Sequence, residues 1–242
     1  MINKYVVVNM KMNLTAKEIG DYLNIINENI FISNVIICPT SIYIPYFLNQ
    51  SYDVGIQNIH FENDGSYTGE VSPLQAKSIG VKFAIIGHSD RRSMGEDDQI
   101  INKKIHKALA NNLKVIFCIG ETLEEREMLK TDKVLKQQII RGLRGLTEKQ
   151  LPNILIAYEP VWAVGTNMLP TNKEISACVD FIRDICKENL RSIPLILYGG
   201  SINEENIKTL NKIKNVDGFL IGSSANDAER LVKIIEIIDN NS

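Results

Sequence analysis

Short apolar runs alternate along this chain with longer amphipathic stretches. The runs cover residues 5–8, 35–38, 53–57, 82–86, 115–119, 154–157, 195–198 and 218–221. Several are hydrophobic at nearly every position, as strands covered on both faces must be. Between the first two, residues 15–30 place apolar side chains at Ile19, Leu23, Ile26 and Ile30, the three-and-four spacing of one buried helix face. Residues 100–113, 123–143, 175–190, 204–210 and 228–238 follow the same pattern, and shorter helices are predicted after Pro39 and Pro73. Thr15 stands three residues before Glu18 and Thr171 three before Glu174, the spacing of a capping box at a helix start.

About eight strand–helix pairs thus succeed one another with no Gly/Ser linker and no low-complexity tract. Such alternation predicts an α/β fold with a parallel sheet and helical crossovers. Eight units in one unbroken domain, residues 1–242, either close into a barrel or stay open as a doubly wound sheet. Even spacing favours the barrel, and 242 residues is close to the length of about 250 that such barrels use. Hydrophobic residues at 44% are enough to fill a sizeable core.

Charge narrows the partners. Lysine and arginine number 27 against 29 acidic residues, so no electrostatic reason exists to expect nucleic acid or an anionic membrane. The first apolar run, Val6-Val7-Val8, is too short for a secretory core or a membrane span. Cys38, Cys118, Cys178 and Cys186 form no CxxC pair and do not cluster with the three histidines. No zinc site or disulfide framework is expected, and buried thiols in a reducing cytoplasm fit better.

In a closed barrel, chemistry belongs at the carboxyl ends of the strands. The first strand runs into Asn9-Met10-Lys11-Met12-Asn13, and the fourth into Gly87-His88-Ser89-Asp90-Arg91-Arg92. The sixth runs into Tyr158-Glu159-Pro160-Val161-Trp162-Ala163-Val164-Gly165-Thr166. The seventh leads to Tyr198-Gly199-Gly200-Ser201 and the eighth to Gly222-Ser223-Ser224. Alone, Lys11 reads as a solvated loop lysine, His88 as a hydrogen-bonded histidine and the Gly199-Gly200 pair as a tight turn. Glu159 directly follows an apolar run, at the core's edge, where burial tunes a carboxyl for general-base work. A cation, an imidazole, a carboxylate and glycine-bearing turns on one rim suggest one site.

Those four segments, with Cys118-Ile119-Gly120-Glu121 and Tyr67-Thr68-Gly69-Glu70, resemble the signature stretches of the triosephosphate isomerase family in order and spacing. The resemblance spans essentially the whole chain and implies a single-domain (β/α)8 barrel. It implies an isomerase of dihydroxyacetone phosphate and D-glyceraldehyde 3-phosphate, serving glycolysis and gluconeogenesis through an enediolate. Glu159 would be the base, and His88 the neutral electrophile before a helix beginning at Ser89. Lys11 and Asn9 would stabilise the developing oxyanion. Gly165, Ser201, Gly222 and Ser223 would hold the phosphate through backbone N–H groups. Residues 160 to about 170 would form a lid that excludes water. Neither a metal nor an organic cofactor is implied. The loop of residues 63–71, beginning at Asn63 and closing at Val71, would make a homodimer, with Thr68 reaching toward the partner's site; its plain reading is a surface loop.

Several positions depart from the family pattern, and the connection after Arg92 is about one residue shorter than in the family. Met10 replaces a tryptophan and reads as a packing element. Asp90 replaces a glutamate, and its shorter side chain is expected to orient Lys11 less well. Asn167 stands in the lid's hinge, where asparagine tolerates left-handed backbone. Ser223 replaces a glycine, and its Cβ would crowd the phosphate if the position required positive φ. Two other readings compete: a catalytically silent barrel relative kept as a binding or scaffold protein, and an isomerase of another small sugar phosphate.

Overall fold

The computed structural model describes residues 3–165 and 168–240. Eight strands run in sequence order around a closed parallel barrel: β1 (Tyr5–Asn9), β2 (Asn34–Cys38), β3 (Asp53–Ile56), β4 (Phe83–Ile86), β5 (Lys114–Ile119), β6 (Ile154–Tyr158), β7 (Leu195–Gly199) and β8 (Gly218–Ile221). Of the two sheet arrangements the alternation allows, the closed one forms. β8 pairs with β1, Tyr5 against Gly218 and Val8 against Ile221. The closure requires glycine, because a Cβ at Gly218 would lie 2.2 Å from the Tyr5 carbonyl oxygen.

Around the barrel stand α1 (Ala16–Asn27), α2 (Ile44–Phe47), α3 (Pro73–Ser78), α4 (Ser89–Ser93), α5 (Asp98–Ala110), α6 (Leu123–Glu127), α7 (Thr131–Gly142), α8 (Asn172–Leu190), α9 (Ile207–Leu210) and α10 (Ala228–Asp239). Both capping boxes read from the sequence form. The Glu18 carboxylate accepts the Thr15 N–H at 2.7 Å, and Glu174 accepts that of Thr171 at 2.7 Å. Ser72 with Gln75 and Thr122 with Glu125 close α3 and α6 in the same way.

Strand alternation sorts the core into two layers. Val7, Ile36, Ile116, Leu155, Leu197 and Leu220 belong to the cluster inside the barrel. Their neighbours Val6, Val8, Val115, Phe117, Ile154 and Ile156 join the layer beneath the helices. β3 gives the interior Gly55, where a Cβ would lie 2.5 Å from the Cys38 Sγ. This close filling makes a packed core rather than a pore, and it leaves the strand ends for chemistry.

Three helix expectations need correction. The first helix stops at Asn27, because the Asn29 side-chain amide donates to the Ile25 carbonyl at 2.8 Å and turns the chain out. Its buried face is Ile19, Tyr22 and Ile26, while Ile30 is 93% exposed. Residues 123–143 form two helices rather than one. They are separated at Leu129, whose φ is 55° and whose N–H bonds back to the Arg126 carbonyl at 2.9 Å. Residues 204–210 become helical only from Ile207, since Asn203 Oδ1 binds the N–H groups of Glu205 and Asn206 in a turn instead.

Candidate active site

Asn9 and Glu159 follow from strand alternation. Val7 in β1 and Leu155 and Ala157 in β6 point into the barrel, and the residues continuing that parity are Asn9 and Glu159. Both are buried. Glu159 has room because glycine closes one neighbouring strand, at Gly199 of β7, and follows the other, at Gly120 after β5. A Cβ at Gly199 would lie 2.6 Å from the Glu159 Cγ, and one at Gly120 would lie 1.8 Å from its carbonyl oxygen. The Glu159 Oε2 has no hydrogen-bond partner among the described residues, so it is a buried acceptor open to a proton. Beside it, burial and then the charge of Glu159 push the Cys118 thiol up, so it stays protonated.

His88 reaches the same point by another route. Parity ends at Gly87, whose φ of 80° turns the chain so that His88 becomes the N-cap of α4, the helix expected from Ser89. Its Nδ1 accepts the Asp90 N–H at 3.0 Å. An Nδ1 occupied as acceptor leaves Nε2 to carry the proton of the neutral ring. Nε2 lies 3.6 Å from Glu159 Oε1.

Lys11 adds the cation. Its Nζ lies 3.1 Å from Asp90 Oδ2, so the aspartate does reach the lysine despite its shorter side chain. With the Asp90 side chain 51% exposed, the pair contributes about 0–1 kcal/mol and serves mainly to aim the ammonium. Met10 is buried, as a packing element should be.

Opposite these groups lies a rim of unusual backbone. Gly165, Gly200 and Ser201 have φ of 67°, 138° and 41°. The Ser201 hydroxyl donates to the Ala163 carbonyl at 2.6 Å. Ser223 opens a short 3-10 turn, Ser223–Asn226, and lies outside the positive-φ region, so the expected condition for crowding is not met. Trp162 is anchored where the lid would start: its Nε1 donates to the buried Glu121 at 2.9 Å, and the Arg126 guanidinium covers its ring at 4.4 Å. The hinge position Asn167, with Thr166, lies outside the described residues.

All eight candidate residues (Asn9, Lys11, His88, Glu159, Gly165, Ser201, Gly222 and Ser223) line one cavity of about 150 Å³. Asn226 lines it too, a side chain that sequence reasoning passed over because it stands in a serine-rich turn four residues beyond Gly222. The clearances at Gly120 and Gly199 were equally hidden, since each depends on a neighbouring strand.

Proton transfer on a small anionic compound is the chemistry such a rim serves, which places the chain among the (β/α)8 enzymes of acid–base type. A protein-family model described as triosephosphate isomerase matches residues 4–238. The triosephosphate isomerase of Thermodesulfovibrio yellowstonii is 42% identical over 247 residues, covering 98% of this chain and 100% of that protein. That of Malacoplasma penetrans is 39% identical, with 99% and 100% covered, and that of Clostridium botulinum (strain Langeland) is 39% identical, with 94% and 96% covered. The chain belongs to the triosephosphate isomerase family, and the enzyme class expected from its sequence, an isomerase, follows from that membership.

Proposed function

We propose that this chain interconverts dihydroxyacetone phosphate and D-glyceraldehyde 3-phosphate through an enediolate, with Glu159 as base and His88 as electrophile. The Glu159 carboxylate takes a proton from the carbon beside the carbonyl. The released C–H pair becomes the C=C bond of the enediolate, and the carbonyl π pair moves onto oxygen. His88 Nε2–H donates to that oxygen and carries a proton between the two oxygens, while Glu159 returns its proton to the neighbouring carbon. Ketone and aldehyde thereby exchange places with no net change of electrons. Asn9 and Lys11 hold the charge that develops on oxygen, a role in which one pre-aimed donor is often worth about 3 kcal/mol. Each proton transfer is thus assigned to a side chain of this protein, and no metal or organic cofactor enters the steps.

The observation that carries this reading is the 3.6 Å between His88 Nε2 and Glu159 Oε1 at a cavity of about 150 Å³. The phosphate would lie against the backbone N–H groups of Gly165, Ser201, Gly222 and Ser223, where the left-handed turns at Gly165 and Ser201 keep the main chain close. Residues 160 to about 170 would close over it as a lid and exclude water from the enediolate. Residues 1–242 would act as one catalytic domain, in the cytoplasm, in glycolysis and gluconeogenesis. A homodimer fits the surface: residues 64–70 are exposed, and Met12, Ile42, Tyr46 and Met94 stand in solvent. The net charge of -2 offers nothing to nucleic acid, and among the described residues no helix is long and apolar enough to cross a membrane.

A coupled assay tests the reading. The purified chain is expected to sediment at twice 27.3 kDa and to turn over both triose phosphates but not larger aldose phosphates. Folded dimer without turnover would refute the enzyme assignment, and preference for a larger sugar phosphate would refute the substrate.

A further inference from the structure

Lys11 projects its ammonium from a backbone conformation that an L-residue keeps only under constraint, with φ at 51°. Two side chains from neighbouring strand ends supply that constraint. Thr40 Oγ1 donates to the Lys11 carbonyl oxygen at 3.0 Å, and Gln57 Nε2 donates to the same oxygen at 2.8 Å. Gln57 Nε2 also donates to the Cys38 carbonyl at 3.0 Å. Both targets are acceptors, so the Gln57 amide must present its NH2 group to them. The Cys38 carbonyl in turn receives the Met10 N–H at 3.2 Å, tying the chain just before Lys11 to β2. From the other side, the Lys11 N–H donates to Asn9 Oδ1 at 3.1 Å. Both the N–H and the C=O of the left-handed residue are therefore held, and the carbonyl is held twice.

Neither Thr40 nor Gln57 lines the rim cavity, so any influence on the substrate passes through Lys11. We propose that Thr40 and Gln57 are positioning residues: by holding the Lys11 carbonyl they fix its left-handed backbone and so aim Nζ into the site. Relaxation to negative φ would swing the Cα–Cβ bond and carry the ammonium off its line to Asp90 and the cavity. Each of the two donors on this oxygen supplies part of the restraint, so the double variant is the sharpest probe. The inference rests on the reading of Lys11 as a catalytic group, and Lys11→Met tests that reading separately.

The experiment compares kcat, KM and inhibition by inorganic phosphate for Thr40→Val, Thr40→Ser, Gln57→Met and the Thr40→Val/Gln57→Met pair. Each is made in the unaltered protein and in a Lys11→Met background. Thr40→Val and Gln57→Met are expected to lower kcat/KM about 10-fold each and the pair about 100-fold, the scale on which a misplacement of 1 Å acts. Phosphate inhibition should weaken in parallel. Thr40→Ser keeps the donor and should recover the activity that Thr40→Val loses. In the Lys11→Met background the same changes should have no further effect, which a general loss of structure would not produce. Should Gln57→Met fail to fold, Gln57→Leu removes the donor at similar size without adding charge and reads the same quantity. Folded variants with unchanged kcat/KM, equal losses in Thr40→Ser and Thr40→Val, or undiminished losses in the Lys11→Met background would overturn the proposal. If Lys11→Met itself leaves turnover intact, the catalytic reading of Lys11 falls, and this inference with it.

Discussion

Where the phosphate would bind, Ser223 sits without strain, because its backbone stays outside the left-handed region that favours glycine. Its N–H remains available, and the N–H rather than the side chain is what a phosphate would need. Ser223→Gly is therefore expected to change KM and phosphate inhibition less than about threefold. Ser223→Pro deletes the donor and should weaken both by about tenfold or more, the worth of one hydrogen bond to a charged group at about 1.5–3 kcal/mol. Steady-state KM values for the two variants decide it; a large gain in affinity from Ser223→Gly would show that the Cβ does crowd the ligand. Asn9 and Glu159 are legible from sequence because strand parity and the strand-end rule both pick them out. Thr40 and Gln57 also follow strands, yet nothing singles them out until the left-handed Lys11 gives their hydrogen bonds a purpose. Gly120 and Gly199 are silent for a related reason: what a glycine makes room for lies on another strand.

Among the elements, strands were the most legible, since runs covered on both faces are apolar throughout. Helix starts were legible where a threonine and a glutamate stand three apart. Helix ends were not. Leu129 separates α6 from α7 in a left-handed conformation with no glycine or asparagine to announce it. Its side chain is 93% exposed and so contributes little packing. Leu129→Gly should remove about 1–2 kcal/mol of backbone strain and return part of it as unfolded-chain entropy, a net stabilisation of about 0.5–1 kcal/mol. Denaturant unfolding measures this directly. A loss of stability would mean that Leu129 makes contacts of greater worth than its strain.

Across the whole molecule, closure of the sheet is what turns scattered sequence into a site. Asn9, His88, Glu159, Ser201 and Gly222 are spread over more than 200 residues and meet at one cavity because β8 returns to β1. The alternation of runs gave the eight units, but whether they close depends on contacts such as Gly218 against Tyr5, which no local pattern reveals. β5 and β7 flank β6, so that the carboxylate of Glu159 is buried, cleared by two glycines and faced by the His88 imidazole. On the proposed mechanism, this placement of the carboxylate, rather than its mere presence, drives the reaction. Glu159→Asp withdraws it by one methylene while leaving the phosphate end untouched. In the coupled assay kcat is expected to fall about 100-fold or more while KM changes less than about threefold. An unchanged kcat, or a loss confined to KM, would contradict the account.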